Sequence, residues 1–370
     1  MLDEYWKFAL AKGQILDRRG AGHASMSAGR STGPTIAVIL PNRNDARYLP
    51  RCLRSVLDQE VPPDELIVID DQSTDNSVDV IRSLIAGHDN AHLVECPVNL
   101  GVYGAVDQGL KHSRAEYALF LASNDYVFPG IFQRAKACLA KAPGAGVWSA
   151  LAWLVDEEDK PLRLHHSPVV ALNDTYFTPQ RCREFADQLG NWFTGTTLIY
   201  RRDALEAAGR FDPVYMGMAD LFTALVVAGR HGAAYSPVPY CAIRKHADSY
   251  LTRTLSDPAG LEYILERICE HGRRTAPELY TARFIDRTVR RFRSASIRTT
   301  RGVTMGAVAK NARGWIASML RATDAVLPAT WGMARVVLAF LILRPFDLWT
   351  AFLYRGLGWA TVRMRSRWPG

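Results

Sequence analysis

Residues 66–77 read LIVIDDQSTDNS, an apolar run that ends in two adjacent acids. The first four residues are apolar and mostly β-branched, which is typical of a strand buried on both faces of a parallel sheet. Asp70 and Asp71 stand where this strand ends, and Asp75 or Ser73 can cap a helix that follows. The segment therefore predicts a strand, a polar turn and a helix.

The same alternation continues on both sides of this segment. The pattern predicts three further strands, at Ile36–Leu40, His92–Cys96 and Tyr117–Leu121. It also predicts two further helices, at Tyr48–Gln59 and Gly104–His112. Strands that alternate with helices predict an α/β fold with a nucleotide-binding type of sheet. In such folds, ligands bind outside the carboxyl ends of the strands, which is where the polar residues of this segment gather.

The pattern changes beyond residue 145. Short strands and helices mix over 145–250. Strands are predicted at Gly146–Trp153, Thr196–Tyr200 and Ala233–Pro237, and helices at Arg202–Ala208 and Ala219–Val227. After Asp257 the apolar spacing is helical, and Arg283–Arg298 is a strongly basic helical stretch. The sequence thus predicts a mixed sheet flanked by helices, followed by a C-terminal helical region.

The charge of the chain lies in its last segment. The 370 residues carry a net charge of +8, and residues 301–370 hold ten Lys and Arg against two acids, so residues 1–300 are neutral. A neutral body disfavours nucleic acid as a partner. Five of nine Trp also lie in 301–370, beside apolar runs that are shorter than the about 18 residues of a spanning helix.

Trp and Arg beside short apolar runs favour a peripheral membrane contact through 301–370. The alternatives are amphipathic helices that close over the main domain, or a surface for oligomer formation. The six Cys are at least 28 residues apart and form no CxxC pair, which favours reduced thiols. The first 20 residues lack the apolar core of a signal peptide. We expect a cytoplasmic protein on the cytoplasmic face of the membrane.

Two polar turns after neighbouring strands are candidate ligand sites. Asp70 and Asp71 can bond a nucleobase or ribose, and Asn124 with Asp125, in LFLASNDYVFPG at 119–130, can hold a divalent cation against a diphosphate. Taken alone, each pair is more typical of an ordinary turn or helix cap than of a ligand site.

Several motifs together resemble the family 2 glycosyltransferases with the GT-A fold. They are PNRND at 41–45, IVIDDQSTDNS at 67–77, NLGVYGAVDQGL at 99–110, LFLASND at 119–125, TGTTLIYRRDALEAAGRFD at 194–212, MADLFTALVVAG at 218–229 and RKHADS at 244–249. Their order and spacing cover roughly residues 34–250. The resemblance implies a nucleotide-sugar donor, a divalent metal and inversion at the anomeric carbon.

The resemblance also implies which residues bind the sugar donor. Pro41, Asn42 and Asn44 would line the nucleoside pocket, and Asp70 or Asp71 would bind the base or ribose. Asn99, Gly101 and Asn124 would lie against the rest of the donor.

The metal motif of the family is Asp-x-Asp, and this chain departs from it. Ala122 and Asn124 replace the two acids, so Asp125 is the carboxylate that remains. The resemblance implies Asp125 and His246 as ligands of Mg²⁺ or Mn²⁺. The departure leaves three readings open: weaker metal binding, a ligand from elsewhere, or lost activity.

Asp220 is the candidate catalytic base. The family has Glu-Asp at the start of a helix, where this chain has Ala219 and Asp220. Inverting transfer needs one carboxylate to take the proton of the acceptor hydroxyl. The plain alternative for Asp220 is a helix N-cap.

The predicted organisation has four parts. A flexible lead-in at 1–34 precedes a catalytic domain at 35–255, which divides into a donor-binding half at 35–130 and an acceptor half at 131–255; 256–300 is a helical extension and 301–370 the basic tail. The predicted function is transfer of a sugar to a lipid-linked or polysaccharide acceptor at a membrane surface. The main alternative is a catalytically weak or silent member that binds nucleotide or glycan as a partner subunit. A nucleotidyltransferase is disfavoured, because 36–48 has no Gly or Lys for a phosphate loop.

Overall fold

The computed structural model describes residues 33–245, residues 255–299 and Ala360. The described strands are β1 (Ile36–Asn42), β2 (Glu65–Asp70), β3 (Ala91–Glu95), β4 (Tyr117–Phe120), β5 (Tyr126–Val127), β6 (Val147–Val155), β7 (Pro161–Leu164), β8 (Thr175–Phe177), β9 (Ile199–Arg201) and β10 (Ala233–Arg244). The described helices are α1 (Leu49–Leu57), α2 (Ser77–Ile85), α3 (Gly101–His112), α4 (Ile131–Lys141), α5 (Pro179–Leu189), α6 (Arg202–Ala207), α7 (Ala219–His231), α8 (Pro258–Thr275) and α9 (Ala282–Thr299). Two short 3₁₀ turns, Gly195–Thr197 and Pro213–Met218, precede β9 and α7.

The ten strands form one mixed sheet with helices around it, which confirms the predicted fold class. Its order is β3-β2-β1-β4-β9-β6-β10-β5, with β7 paired to β6 and β8 paired to β10. The first four strands are parallel, whereas β9 runs antiparallel to both β4 and β6. The carboxyl ends of β1, β2 and β4 therefore meet at one edge.

Burial explains why β1 and β2 occupy the middle of the parallel half. The side chains of β1 from Ile36 to Leu40 are fully buried, and so is the apolar part of β2. The register pairs Asn42 with Asp70, so the last residue of each strand reaches the same edge. The predicted strands at 36–40 and 66–69 are confirmed.

Several predicted boundaries differ from the structure; the strand predicted at Ala233–Pro237, for example, extends to Arg244. Two further differences lie near the candidate site. Helix α3 begins at Gly101 rather than Gly104, because the Asn99 side chain accepts a hydrogen bond from the Gly101 amide at 3.0 Å. The strand expected from Thr196 begins at Ile199, because Gly195–Thr197 is a 3₁₀ turn. Both changes concern residues near the candidate site.

The C-terminal helices pack on the second half of the sheet domain. Ile268 of α8 and Phe284 of α9 are buried in the same core cluster as α5 and α7. Arg291 of α9 donates hydrogen bonds to the carbonyl oxygens of Leu189 and Asn191, just past the C-terminal end of α5.

The predicted lead-in and tail fall almost entirely outside the described residues. Within 33–245 and 255–299, no helix combines the length and apolarity needed to cross a membrane. All six Cys lie in these ranges and are free thiols, which agrees with the predicted reduced state.

Candidate active site

A buried hydrogen-bond network joins the ends of β1 and β2. The Asp70 carboxylate accepts hydrogen bonds from Asn42 Nδ2 at 2.9 Å, from the Ser73 amide at 2.9 Å and from Ser73 Oγ at 2.6 Å. Asn42 and Asp70 are each at most 3% exposed. Both carboxylate oxygens of Asp70 therefore accept hydrogen bonds that join the end of β1 to the loop after β2.

Asp71 links this edge to the loop before α3. Its Oδ1 accepts a hydrogen bond from the Leu100 amide at 2.6 Å, which places Asn99 and Gly101 beside the end of β2. Gly101 has φ of +70°, a conformation that favours glycine. Of the two predicted base-binding or ribose-binding acids, Asp71 is the one with a second oxygen that accepts no bond from the described residues.

Asn44 fastens the loop after β1 to the loop after β2. Its Oδ1 accepts from the Thr74 amide at 2.7 Å, and its own amide donates to Ser73 Oγ at 3.0 Å. Pro41 lies half-buried near the end of β1. The structure thus brings together, at one edge, the loops that carry the predicted sugar-donor residues from Pro41 to Gly101.

The turn at 122–125 follows β4 and carries Asn124 and Asp125. Asp125 is 5% exposed, and its Oδ1 and Oδ2 accept from the Arg244 amide at 2.9 Å and from Thr196 Oγ1 at 2.8 Å. Loss of hydration on burial raises the pKa of Asp125 to about 6. Asn124 is half-buried, and its main-chain carbonyl accepts from the Arg244 guanidinium.

These contacts do not fit the metal site that the resemblance implies. Mg²⁺ usually takes one or two protein carboxylates besides phosphate and water. Asp125 is 5% exposed with one hydrogen bond to each oxygen, and no three His, Cys, Asp or Glu side chains of the described residues are placed to share a cation. His246, the second predicted ligand, lies outside the described residues.

Asp45 is a site residue that the sequence interpretation missed. Ser123 Oγ donates to Asp45 Oδ2 at 2.5 Å, so this carboxylate joins the loop after β1 to the turn after β4. Asp45 stands inside the PNRND motif, next to Asn44, which was the one available signal.

Asp220 lies at the second position of α7, and its half-buried carboxylate faces the Gly195–Thr197 turn. Its Oδ1 accepts from the Leu221 amide at 2.8 Å, and burial raises the pKa of Asp220 to about 6. The residue before the helix is Met218, so Asp220 is not the N-cap. A carboxylate with a pKa near 6 is ionised at neutral pH and is a stronger base than an ordinary aspartate.

Gly195 leaves room for that carboxylate. A Cβ at this position would come within 2.1 Å of Asp220 Oδ2. The next residue, Thr196, donates a hydrogen bond to Asp125, so the carboxylates of Asp125 and Asp220 both contact the Gly195–Thr197 turn. Asp220 is thereby placed close to the end of β4.

A residue with strained backbone angles lies four residues before Asp220. Met216 has φ of +49° and ψ of −144°, and its carbonyl accepts a hydrogen bond from the Tyr103 hydroxyl of α3. Tyr200 donates to the main-chain carbonyl of Asp220 at 2.5 Å. These two hydrogen bonds link the segment that carries Asp220 to α3 and to β9.

A family model described as glycosyl transferase family 2 matches residues 37–209. An uncharacterized glycosyltransferase of Nostoc sp. is 32% identical over 191 residues, which are 48% of this chain and 54% of that protein. A poly(ribitol-phosphate) beta-glucosyltransferase of Bacillus spizizenii is 34% identical over 95 residues, which are 25% and 15% of the two chains. The chain spans about half, or less, of the length of these curated relatives.

Two solved structures have the same fold. TarS of S. aureus in complex with UDP-GlcNAc superposes with a TM-score of 0.56 at 16% identity, covering 86% of this chain and 92% of that one. A mannosyltransferase of Pyrobaculum calidifontis, in complex with GDP-Man and Mn²⁺, has a TM-score of 0.52 at 19% identity and covers 94% of each chain. At these identities the likeness shows the fold.

Proposed function

Because residues 37–209 of the chain belong to the family 2 glycosyltransferases, we propose that the protein is an inverting glycosyltransferase that uses a nucleoside diphosphate sugar. The observation that carries the proposal is the Asp220 carboxylate, with its pKa raised to about 6, beside the edge where the predicted sugar-donor loops meet. The Asn42–Asp70 and Asp71–Leu100 hydrogen bonds hold these loops together. Asn42, Asn44, Asp71 and Asn99 are proposed to bind the nucleoside part.

Asp220 acts as the base in the proposed reaction. It accepts the proton of the acceptor hydroxyl while that oxygen forms a bond to the anomeric carbon. The bond from the anomeric carbon to the diphosphate oxygen breaks on the opposite face, and the nucleoside diphosphate leaves with the electron pair. Configuration at the anomeric carbon is therefore inverted.

The leaving diphosphate needs a cation beside it. The sequence predicts Mg²⁺ or Mn²⁺ there, held by Asp125 and His246, and the similar mannosyltransferase was solved with Mn²⁺. The burial of Asp125, at 5% exposure, disfavours it as a direct ligand. The proposed steps at Asp220 do not depend on which cation is used.

The proposed acceptor is a polysaccharide or a lipid-linked glycan. One similar protein is named for glucosylation of poly(ribitol-phosphate), which favours a polymer acceptor. Residues 301–370, with ten basic residues and five Trp, are proposed to hold the enzyme on the cytoplasmic face of the membrane. The proposed division into halves at 35–130 and 131–255 places Asp220 in the acceptor half.

The test is release of nucleoside diphosphate from a panel of nucleotide sugars, with and without candidate glycan acceptors. Wild-type protein should release it from at least one donor, and Asp220→Asn should lose turnover while it still binds the nucleotide. Asp79→Asn, at an 84% exposed aspartate on α2, is the matched control and should turn over normally. Normal turnover by Asp220→Asn would refute the assignment.

A second candidate function is a silent partner subunit that binds nucleotide or glycan. The observation that favours it is the turn at 122–125, where Ala122 and Asn124 stand in place of acids and the remaining carboxylate, Asp125, is buried. Tight nucleotide binding with no hydrolysis or transfer from any donor would identify this function.

A further inference from the structure

Arg244 places a cation against the turn where the family holds its metal. The residue ends β10, its side chain is 3% exposed, and its guanidinium donates to the carbonyl of Asn124. Its own amide donates to Asp125 Oδ1 at 2.9 Å. Both contacts fix this positive charge at the turn after β4, beside the edge of the sheet where the sugar donor is proposed to bind.

Two tyrosines hold the guanidinium in this position. Its central carbon lies 4.4 Å from the ring centroid of Tyr48 and 5.8 Å from that of Tyr126. Tyr48 belongs to the loop after β1, and Tyr126 follows the turn at 122–125. A guanidinium stacked on aromatic rings keeps its charge and its planar set of hydrogen-bond donors.

We propose that the Arg244 guanidinium, rather than a divalent metal, neutralises the diphosphate of the sugar donor as it leaves. This inference rests on the proposed function. A guanidinium binds phosphate oxygens with two parallel charge-assisted hydrogen bonds, so it can take over the charge that a metal would supply. The chain has lost the acids of the metal motif at 122 and 124, and it places a permanent cation at the same turn.

Asp159 is the counter-ion of Arg244. It lies in the turn between β6 and β7, is 35% exposed, and forms an ion pair with the guanidinium. In the same turn, Glu157 forms an ion pair with Arg47 of the loop after β1 at 2.8 Å, and both of these side chains are exposed. Because Asp159 is 35% exposed and the Arg47–Glu157 pair is exposed on both sides, partly solvated ion pairs hold the turn here, and a diphosphate can replace them.

The guanidinium also has an unused hydrogen-bond donor. Arg244 Nε is buried and donates to no atom of the described residues. Burial of an unpaired donor costs free energy, and a phosphate oxygen that accepts from Nε would recover it. Rearrangement of the Asp159 turn on binding would give the diphosphate access to Nε.

The test measures binding of UDP and GDP by calorimetry, and turnover, on the full chain in excess EDTA and then with added Mg²⁺ or Mn²⁺. Wild-type protein should bind one of the nucleotides and turn over equally well in all three conditions. Arg244→Gln should weaken binding about 10- to 100-fold in EDTA, because it removes charge-assisted bonds to phosphate. Arg82→Gln, at an exposed arginine of α2, is the matched control and should bind like wild type.

Asp159→Asn keeps the proposal open to refutation if Arg244→Gln does not fold. It removes the counter-ion and should tighten nucleotide binding in EDTA about 2- to 5-fold, the strength of a partly exposed ion pair. Binding or turnover that EDTA abolishes and Mn²⁺ restores would overturn the proposal, as would unchanged affinity in Asp159→Asn. Wild-type protein that neither binds nucleotide nor turns over in any condition would instead refute the proposed function.

Discussion

Asp220→Asn should make the protein more stable while it removes activity. Burial raises the pKa of Asp220 from 3.8 to about 6. Each pKa unit corresponds to 1.36 kcal/mol, so keeping this carboxylate ionised in the folded protein costs at most about 3 kcal/mol. Loss of its charge at the start of α7 costs about 0.3–1 kcal/mol in the opposite direction. Because the side chain is only half-buried, we expect a net gain of about 1–2 kcal/mol.

The gain should depend on pH in a defined way. Below pH 3.8 the carboxyl is protonated in both the folded and the unfolded protein, so the variant has no advantage. Between pH 3.8 and about 6, Asp220 is ionised in the unfolded protein but still protonated in the folded protein. The stability of the wild type therefore falls relative to that of Asp220→Asn as the pH rises through this range. Above pH 6 the difference is constant.

Thermal unfolding of both proteins across this pH range is the assay. A domain of this size shifts its Tm by about 2–4 °C per kcal/mol, so the variant should melt about 2–8 °C higher above pH 6 and equally at the acid end. Asp79→Asn also removes a charge from the first turn of a helix, but at an exposed site, so it should not raise the Tm at any pH. A destabilised Asp220→Asn at pH 8, or a shift independent of pH, would show that burial of this carboxylate does not set its pKa.

Four other predictions follow from the same contacts. Gly195→Ala places a Cβ within 2.1 Å of Asp220 Oδ2 and should cost about 100-fold in kcat with nucleotide binding retained; normal kcat would mean that the turn is not rigid. The kcat/KM of the wild type should fall as pH drops through about 6, since the base must be ionised, and a flat profile would argue against Asp220. Thr196→Val leaves Asp125 Oδ2 unpaired and should lower the free energy of unfolding by about 1–3 kcal/mol in denaturant titrations, whereas an unchanged midpoint would remove that bond from the account. Deletion of 301–370 should move the protein from the membrane fraction to the soluble fraction; full-length protein that is already soluble at low and high salt would refute the membrane role.

Local patterns predicted the parallel half of the sheet well. The apolar runs at 36–40 and 66–69 are uninterrupted and buried on both faces, so their strand identity follows from composition alone. The meeting of Asn42 and Asp70 follows as well, because parallel neighbours present their last residues at one edge. The predicted family is confirmed for residues 37–209.

The contacts of Asp125 show why the rest could not be read from sequence. Its hydrogen-bond partners are Thr196 and Arg244, which are 71 and 119 residues away along the chain. No local pattern reveals that both oxygens accept hydrogen bonds from these distant residues, so the sequence predicted Asp125 as a metal ligand. The approach of Gly195 to Asp220 is likewise a tertiary contact, although both residues stand in motifs that the sequence interpretation quoted.

The most direct test of the account is the anomeric configuration of the transferred sugar, read by NMR from the product of the donor that supports turnover. Direct attack by an acceptor hydroxyl that Asp220 deprotonates predicts inversion, so an α-linked donor gives a β-linked product. Retention of configuration would contradict the central claim, because it requires a second displacement that a single base at Asp220 does not provide.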